Sequence, residues 1–290
     1  MILSKTQSEE FIDKSIIDIL GKGKVNFRYI IIFILLSVNL FANDNVLLFK
    51  PYTASVFEPR IGSVINLTQD NLRLDIGSSF DLFRNKLSNE LTYSIGGDFF
   101  TYTRLRSETN FKFPVETSDY YFGINSAANF KLFEQDFSSR LRLAHISSHL
   151  VDGYSIAGKF LKSPFSYSRE FIDLSLALNK QSELLDYRIY TGFIYVYHTL
   201  PIDVNTFIPY IGVDFSKNII KEIAISGGLD LRKGESDIVN IASQLGFNIK
   251  LYKEFGIFLG YYKYFGSSVH GMFYKEKDNY DGIGFQIIYF

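Results

Sequence analysis

Residues 118–132, SDYYFGINSAANFKL, decide the fold. Tyr120, Phe122, Ile124, Ala128, Phe130 and Leu132 share one parity, while Asp119, Asn125, Asn129 and Lys131 share the other. Successive side chains of a strand point to opposite faces, so this segment is a strand with one apolar and one polar side. Residues 237–251, DIVNIASQLGFNIKL, repeat the pattern: Val239, Ile241, Leu245, Phe247, Ile249 and Leu251 oppose Asn240, Gln244, Asn248 and Lys250. Alternation recurs near 60–68, 72–83, 90–104, 136–149, 165–179, 185–198, 206–216, 220–232, 254–265 and 281–290, about twelve strands in all. Short connections (RNKLSN, EQD, KQSELLD, SKN, KE) alternate with long ones at 105–117, 150–164 and 266–280. An even set of such strands, with short turns at one end and long loops at the other, predicts an all-β transmembrane antiparallel β-barrel.

Composition supports this class and excludes others. The 290 residues include 20 Tyr, 29 Phe and only 6 Pro, a composition suited to pleated sheet. Mean hydropathy is near zero, at +0.05. A helical membrane protein of this length would carry several apolar runs of about 20 residues, and only one run approaches that. A net charge of −1 gives no basis for nucleic-acid binding. The absence of Cys removes disulfides, thiolate metal sites and Cys nucleophiles together.

The one apolar run lies in residues 24–42, KVNFRYIIIFILLSVNLFA, behind Lys22, Lys24 and Arg28. It reads as a secretory signal peptide over 25–42, cleaved after Ala42; at about 16 apolar residues it is short for a membrane-anchoring helix. Residues 1–24 read as an upstream extension produced by a mis-assigned start, with Val25 as initiator. The competing reading is an amphipathic helix carrying Ile12, Ile16, Ile19 and Leu20 on one face. Residues 43–59 are expected to form a periplasmic N-terminal segment and 60–290 the barrel. Ile287, Tyr289 and Phe290 resemble the C-terminal aromatic signal read by barrel-assembly machinery. Without Trp, interfacial girdles fall to tyrosines such as Tyr93, Tyr120, Tyr195, Tyr197 and Tyr261.

Chemistry concentrates in residues 140–154, RLRLAHISSHLVDGY. Parity from Leu141 and Leu143 puts His145, Ser147 and His149 on the lipid side, and Arg140 and Arg142 in the lumen. His145 and His149 lie roughly 13 Å apart in an extended strand, too far to share a metal ion, so no metal and no cofactor are expected. His145 and Ser147 on one face can pair a base with a nucleophile, and Glu170 on the next strand shares the outward parity of Ile172, Leu174 and Leu176. The alternative is that these residues hydrogen-bond at headgroup level, with Ser148, His149 and Asp152 ordering the 150–164 loop. The lumen collects Arg73, Asp75, Asp81, Asp98, Lys131, Arg140, Arg142, Asp173, Asp214, Asp230 and Arg232. Mixed signs favour a salt-bridged, narrow or closed interior over a selective pore.

Three motifs carry a resemblance: Glu58-Pro59-Arg60, Asp119-Tyr120 with Gly123, and His145-x-Ser147-Ser148-His149-Leu150. By these the chain resembles the bacterial exported proteins catalogued as domain of unknown function 1207. That family usually continues the last motif with Gly-Asp-Glu, where this chain has Val151-Asp152-Gly153. The resemblance implies an outer-membrane barrel and supplies no activity. The His-x-Ser element also resembles that of lipid A 3-O-deacylases. The expected protein is a monomeric, exported barrel of the bacterial outer membrane, in contact with its lipid and lipopolysaccharide. Its expected role is structural or that of a narrow channel, the alternatives being a lipid-modifying hydrolase and a small-solute channel.

Overall fold

The computed structural model describes residues 47–234, 238–252 and 255–289. The signal peptide, the upstream extension and Phe290 lie outside the described residues. The strands are β1 (Ile61–Asn66), β2 (Asn71–Lys86), β3 (Leu91–Arg106), β4 (Val115–Leu132), β5 (Gln135–Leu150), β6 (Ser155–Ile156), β7 (Lys159–Phe160), β8 (Tyr167–Lys180), β9 (Asp186–Leu200), β10 (Phe207–Ile220), β11 (Ile223–Lys233), β12 (Val239–Tyr252), β13 (Phe255–Ser267) and β14 (Lys277–Tyr289). All but β6 and β7, a small hairpin in the β5–β8 loop, join one closed antiparallel barrel of twelve strands. Closure comes from β1 against β14, with Ile61 opposite Ile287 and Asn66 opposite Gly282. A closed ladder leaves no edge of unpaired backbone groups, which hydrocarbon would penalise by several kcal/mol each.

Alternation sorts the side chains as the sequence predicts. Leu141, Leu143, Ile172, Leu174, Leu245, Phe247, Ile283 and Phe285 are exposed on the outer wall. Asp98, Asn125, Arg140, Arg142, Asp173, Asp230 and Gln244 are buried within. Lys131 differs from expectation: it lies at the β4–β5 turn, exposed, beside Asp136. The 105–117 loop is also shorter than expected, because Arg104 and Arg106 both pair with Glu116 across β3 and β4 and carry the ladder to Val115.

The lumen is filled. Residues 47–60 run inside the barrel, where Phe49, Tyr52, Ser55 and Glu58 are buried, whereas the sequence reading expects 43–59 to be a periplasmic segment. This plug has no ladder of its own, so its backbone groups need partners from the wall. Asp81 accepts from Leu48 N at 2.9 Å, Asp214 accepts from Thr53 N at 3.1 Å, and Arg73 donates to Val56 O at 2.8 Å. The Tyr52 ring stacks on Tyr190, centroids 3.6 Å apart. Glu58 is the anchor: Arg140 grips both its carboxylate oxygens, and Arg142 Nη2 donates to Oε2 at 2.8 Å. Burial alone would raise this carboxyl, but the two guanidinium groups outweigh it and hold it down at about 2. Arg142 also meets Asp98 at 3.1 Å, so the charges of this cluster are paired with one another, as a low-dielectric interior requires.

A second element closes the long-loop end. Residues 268–274, between β13 and β14, fold inward and bury Val269, His270, Met272 and Phe273. Asp119 on β4 accepts from His270 Nδ1 and from Gly271 N, both at 2.8 Å, while Ser148 on β5 accepts from Met272 N at 3.1 Å. Between plug and cap lies a pocket lined in part by Phe57, Glu58, Arg142, Asp173 and Ser268.

Candidate functional site on the outer wall

β5 and β8 run antiparallel with His145 opposite Glu170 and Ser147 opposite Ser168. The odd parity set by Leu141 and Leu143 brings His145 and Ser147 to the outer wall, three and five residues short of the long-loop end of β5 for Ser147 and His145 respectively. On β8 the parity of Ile172 and Leu174 brings Glu170 out beside them. His145 Nδ1 donates to Glu170 Oε1 at 2.6 Å, and the Ser168 hydroxyl donates to the same oxygen at 2.9 Å. The imidazole lies against Phe122 of β4, ring centroids 4.7 Å apart, which limits its rotation. With Nδ1 committed, Nε2 is the nitrogen left to face a reacting group. Ser147, about 7 Å along the strand on the same face, makes no side-chain hydrogen bond among the described residues.

A third strand contributes a residue that the sequence reading omitted. His198 on β9 donates through Nδ1 to Glu170 Oε2, so one carboxylate lies between two imidazoles. Strict alternation from Ile194 and Val196, both buried, would send His198 into the lumen. A β-bulge prevents this: Glu170 pairs with His198 and the next residue, Phe171, with Val196, leaving Tyr197 as the extra residue. The bulge turns Tyr197 and His198 out together.

The remaining motif residues serve elsewhere. Ser148 points inward and holds the 268–274 cap rather than the 150–164 loop. His149 is exposed, its ring against Tyr120 with centroids 5.8 Å apart. Asp152 accepts from the Ser155 hydroxyl through its backbone carbonyl, within the β5–β8 loop. The lumen charges divide between plug and wall: Arg140 and Arg142 hold Glu58, Arg73 pairs with Asp75, and Arg232 pairs with Asp230. Among the described residues no group of three or more His, Cys, Asp or Glu is arranged to hold a metal ion.

In fold, the chain is similar to outer membrane phospholipase A from Escherichia coli, with a TM-score of 0.50 at 11% identity, covering 87% of this chain and 95% of that one. An active-site mutant of the same enzyme gives 0.52 at 11% identity, over 87% and 96% of the two chains. The translocator domain of the autotransporter NalP from Neisseria meningitidis gives 0.42 at 9% identity, over 79% and 84%. No curated protein matches by sequence. The family model described as Protein of unknown function (DUF1207) matches residues 86–289, which take in every wall residue of the site, and the chain belongs to that family.

Proposed function

We propose that this protein is an outer-membrane acyl hydrolase acting on ester-linked lipids, with Ser147 as nucleophile, His145 as general base and Glu170 as the group that orients it. The observation that carries this reading is the 2.6 Å contact from His145 Nδ1 to Glu170 on the outer wall, beside a same-face Ser147. Polar groups on the lipid-facing side of a barrel are costly, and a linked His and Glu with an unengaged hydroxyl beside them has a use in acyl transfer. The surroundings suit a lipid substrate. Below the site lie exposed Leu141, Leu143, Ile172 and Leu174, against which acyl chains pack, while the site itself sits toward the strand ends, at headgroup level.

In this mechanism His145 Nε2 takes the Ser147 proton as Oγ attacks the ester carbonyl, and Glu170 balances the imidazolium that forms. Collapse expels the lipid alcohol, which receives the proton from His145. Water, deprotonated by the same nitrogen, then attacks the acyl-serine and releases a fatty acid with Ser147 restored. The similarity in fold to outer membrane phospholipase A is in keeping with this reading but carries no residue of it; the site residues carry the argument. A channel role fits less well, because the plug and the cap occupy the lumen.

The test is fatty-acid release from radiolabelled phospholipid and, separately, from lipopolysaccharide in mixed micelles with the refolded barrel. Release from either substrate that is lost in Ser147→Ala supports the reading. Absence of release from both, or equal release by Ser147→Ala, overturns it.

A further inference from the structure

Glu170 has two imidazoles and one negative charge. We infer that His198 is a positioning residue of the outer-wall site, which fixes Glu170 from the far side and so holds the carboxylate in place for His145. This deepens the hydrolase reading and rests on it.

The geometry has three parts. Glu170 Oε1 takes His145 and Ser168, and Oε2 takes His198, so the carboxylate is fixed at both oxygens. The bulge at Tyr197 is what aims His198 at Glu170, and bulges are a recurrent means of re-aiming a side chain beside a functional site. The His198 side chain is 60% exposed, so its contact to Glu170 rather than close packing sets its orientation. Other described ionisable groups that face outward on these strands include His149 on β5, Tyr120 on β4, and Tyr195 and Tyr197 on β9. On β8 the outward neighbours of Glu170 are Ser168 and Ile172. Glu170 is thus the carboxylate that both rings contact.

Catalysis requires His145 to accept a proton and Glu170 to balance it. A carboxylate held at both oxygens keeps Oε1 on the His145 Nδ1–H as the imidazolium forms, whereas one held at Oε1 alone is free to turn away from it.

The experiment compares wild type with His198→Gln and His198→Ala, each checked for heat-modifiable gel mobility. Gln keeps an N–H for Glu170; Ala removes it. His198→Ala should lower kcat about ten-fold with little change in KM, since Glu170 is no longer fixed at Oε2, and His198→Gln should recover most of that loss. In parallel, NMR of isotope-labelled histidine should show the His145 ring signals shifted in His198→Ala and close to wild type in His198→Gln, with His149 unchanged. A kcat unaltered by His198→Ala, a loss that His198→Gln shares in full, or His145 signals indifferent to His198→Ala overturns the inference. The NMR arm reads the hold on Glu170 without turnover, so failure of the hydrolase reading, seen as activity surviving Ser147→Ala, is distinguishable from failure of this one.

Discussion

Ser147 and Ser148 are neighbours in sequence and opposites in environment. Ser148, inside, accepts from Met272 N and holds the cap; Ser147, outside, has no hydrogen-bond partner among the described residues. The contrast extends along β5. Inward, Arg140 and Arg142 both pair with Glu58 and Arg142 also meets Asp98, charges bound to charges across the interior. Outward His145 reaches one carboxylate and keeps one nitrogen available. On β5 the inward charges are tied into the plug, whereas the outward His145 and Ser147, in a wall built from Leu141, Leu143 and Phe122, call for a chemical reason.

The largest expected effect breaks the outer side alone. Ser147→Ala should lower fatty-acid release about 10³-fold or more, since deleting a nucleophile removes the covalent route. Unfolding stability should stay within about 0.5 kcal/mol, because no partner is orphaned. Glu170→Gln should fall nearly as far, by withdrawing the charge that balances His145. An unfolding midpoint that moves with Ser147→Ala would show the outer cluster to be structural.

The next effect breaks the inner side alone. Glu58→Ala leaves Arg140 and Arg142 facing one another without their shared carboxylate, which should cost about 3–5 kcal/mol of plug docking. The readout is protease access to residues 47–60, or bilayer conductance where wild type shows none. Acid should act in the same direction. The Glu58 carboxyl is held at about 2 in the folded barrel, below its ordinary value near 4.3 when unpaired. Its contribution is complete above that ordinary value and is lost as pH falls toward about 2. Plug release should therefore be absent at pH 6 and grow steeply below about pH 4. In Glu58→Gln that dependence should disappear; a plug equally secure at pH 2.5 would show that aromatic contacts such as Tyr52 on Tyr190 hold it instead.

How much of this could be read from sequence follows from range. Strand parity is local, so the outward placement of His145, Ser147 and Glu170 was legible from Leu141, Leu143 and Ile172. His198 was not, because one extra residue at Tyr197 reverses the parity that Ile194 and Val196 establish. The plug was not legible either. Residues 47–60 have no period, and the partners of Glu58 lie 82 and 84 residues away in sequence. A lone Glu-Pro-Arg ahead of the first strand, in a lumen carrying paired arginines, was the one available signal. Ser148 was placed inside by parity, but its partner is Met272, 124 residues on, in a segment the sequence reads only as a loop.

The smallest expected effect tests the boundary between the two sides. Ser148→Ala removes the acceptor for Met272 N and leaves a buried N–H unpaired, which should cost about 1–3 kcal/mol locally. Asp119 still holds His270 and Gly271, so the cap should loosen rather than detach. Amide exchange over residues 268–274 should accelerate about ten-fold or more while β13 and β14 stay protected. Hydrolysis should be unchanged if the two faces of β5 act independently. A parallel fall in activity would show that the cap and the outer wall communicate through the backbone between Ser147 and Ser148, and the division drawn here would then have to be abandoned at that strand.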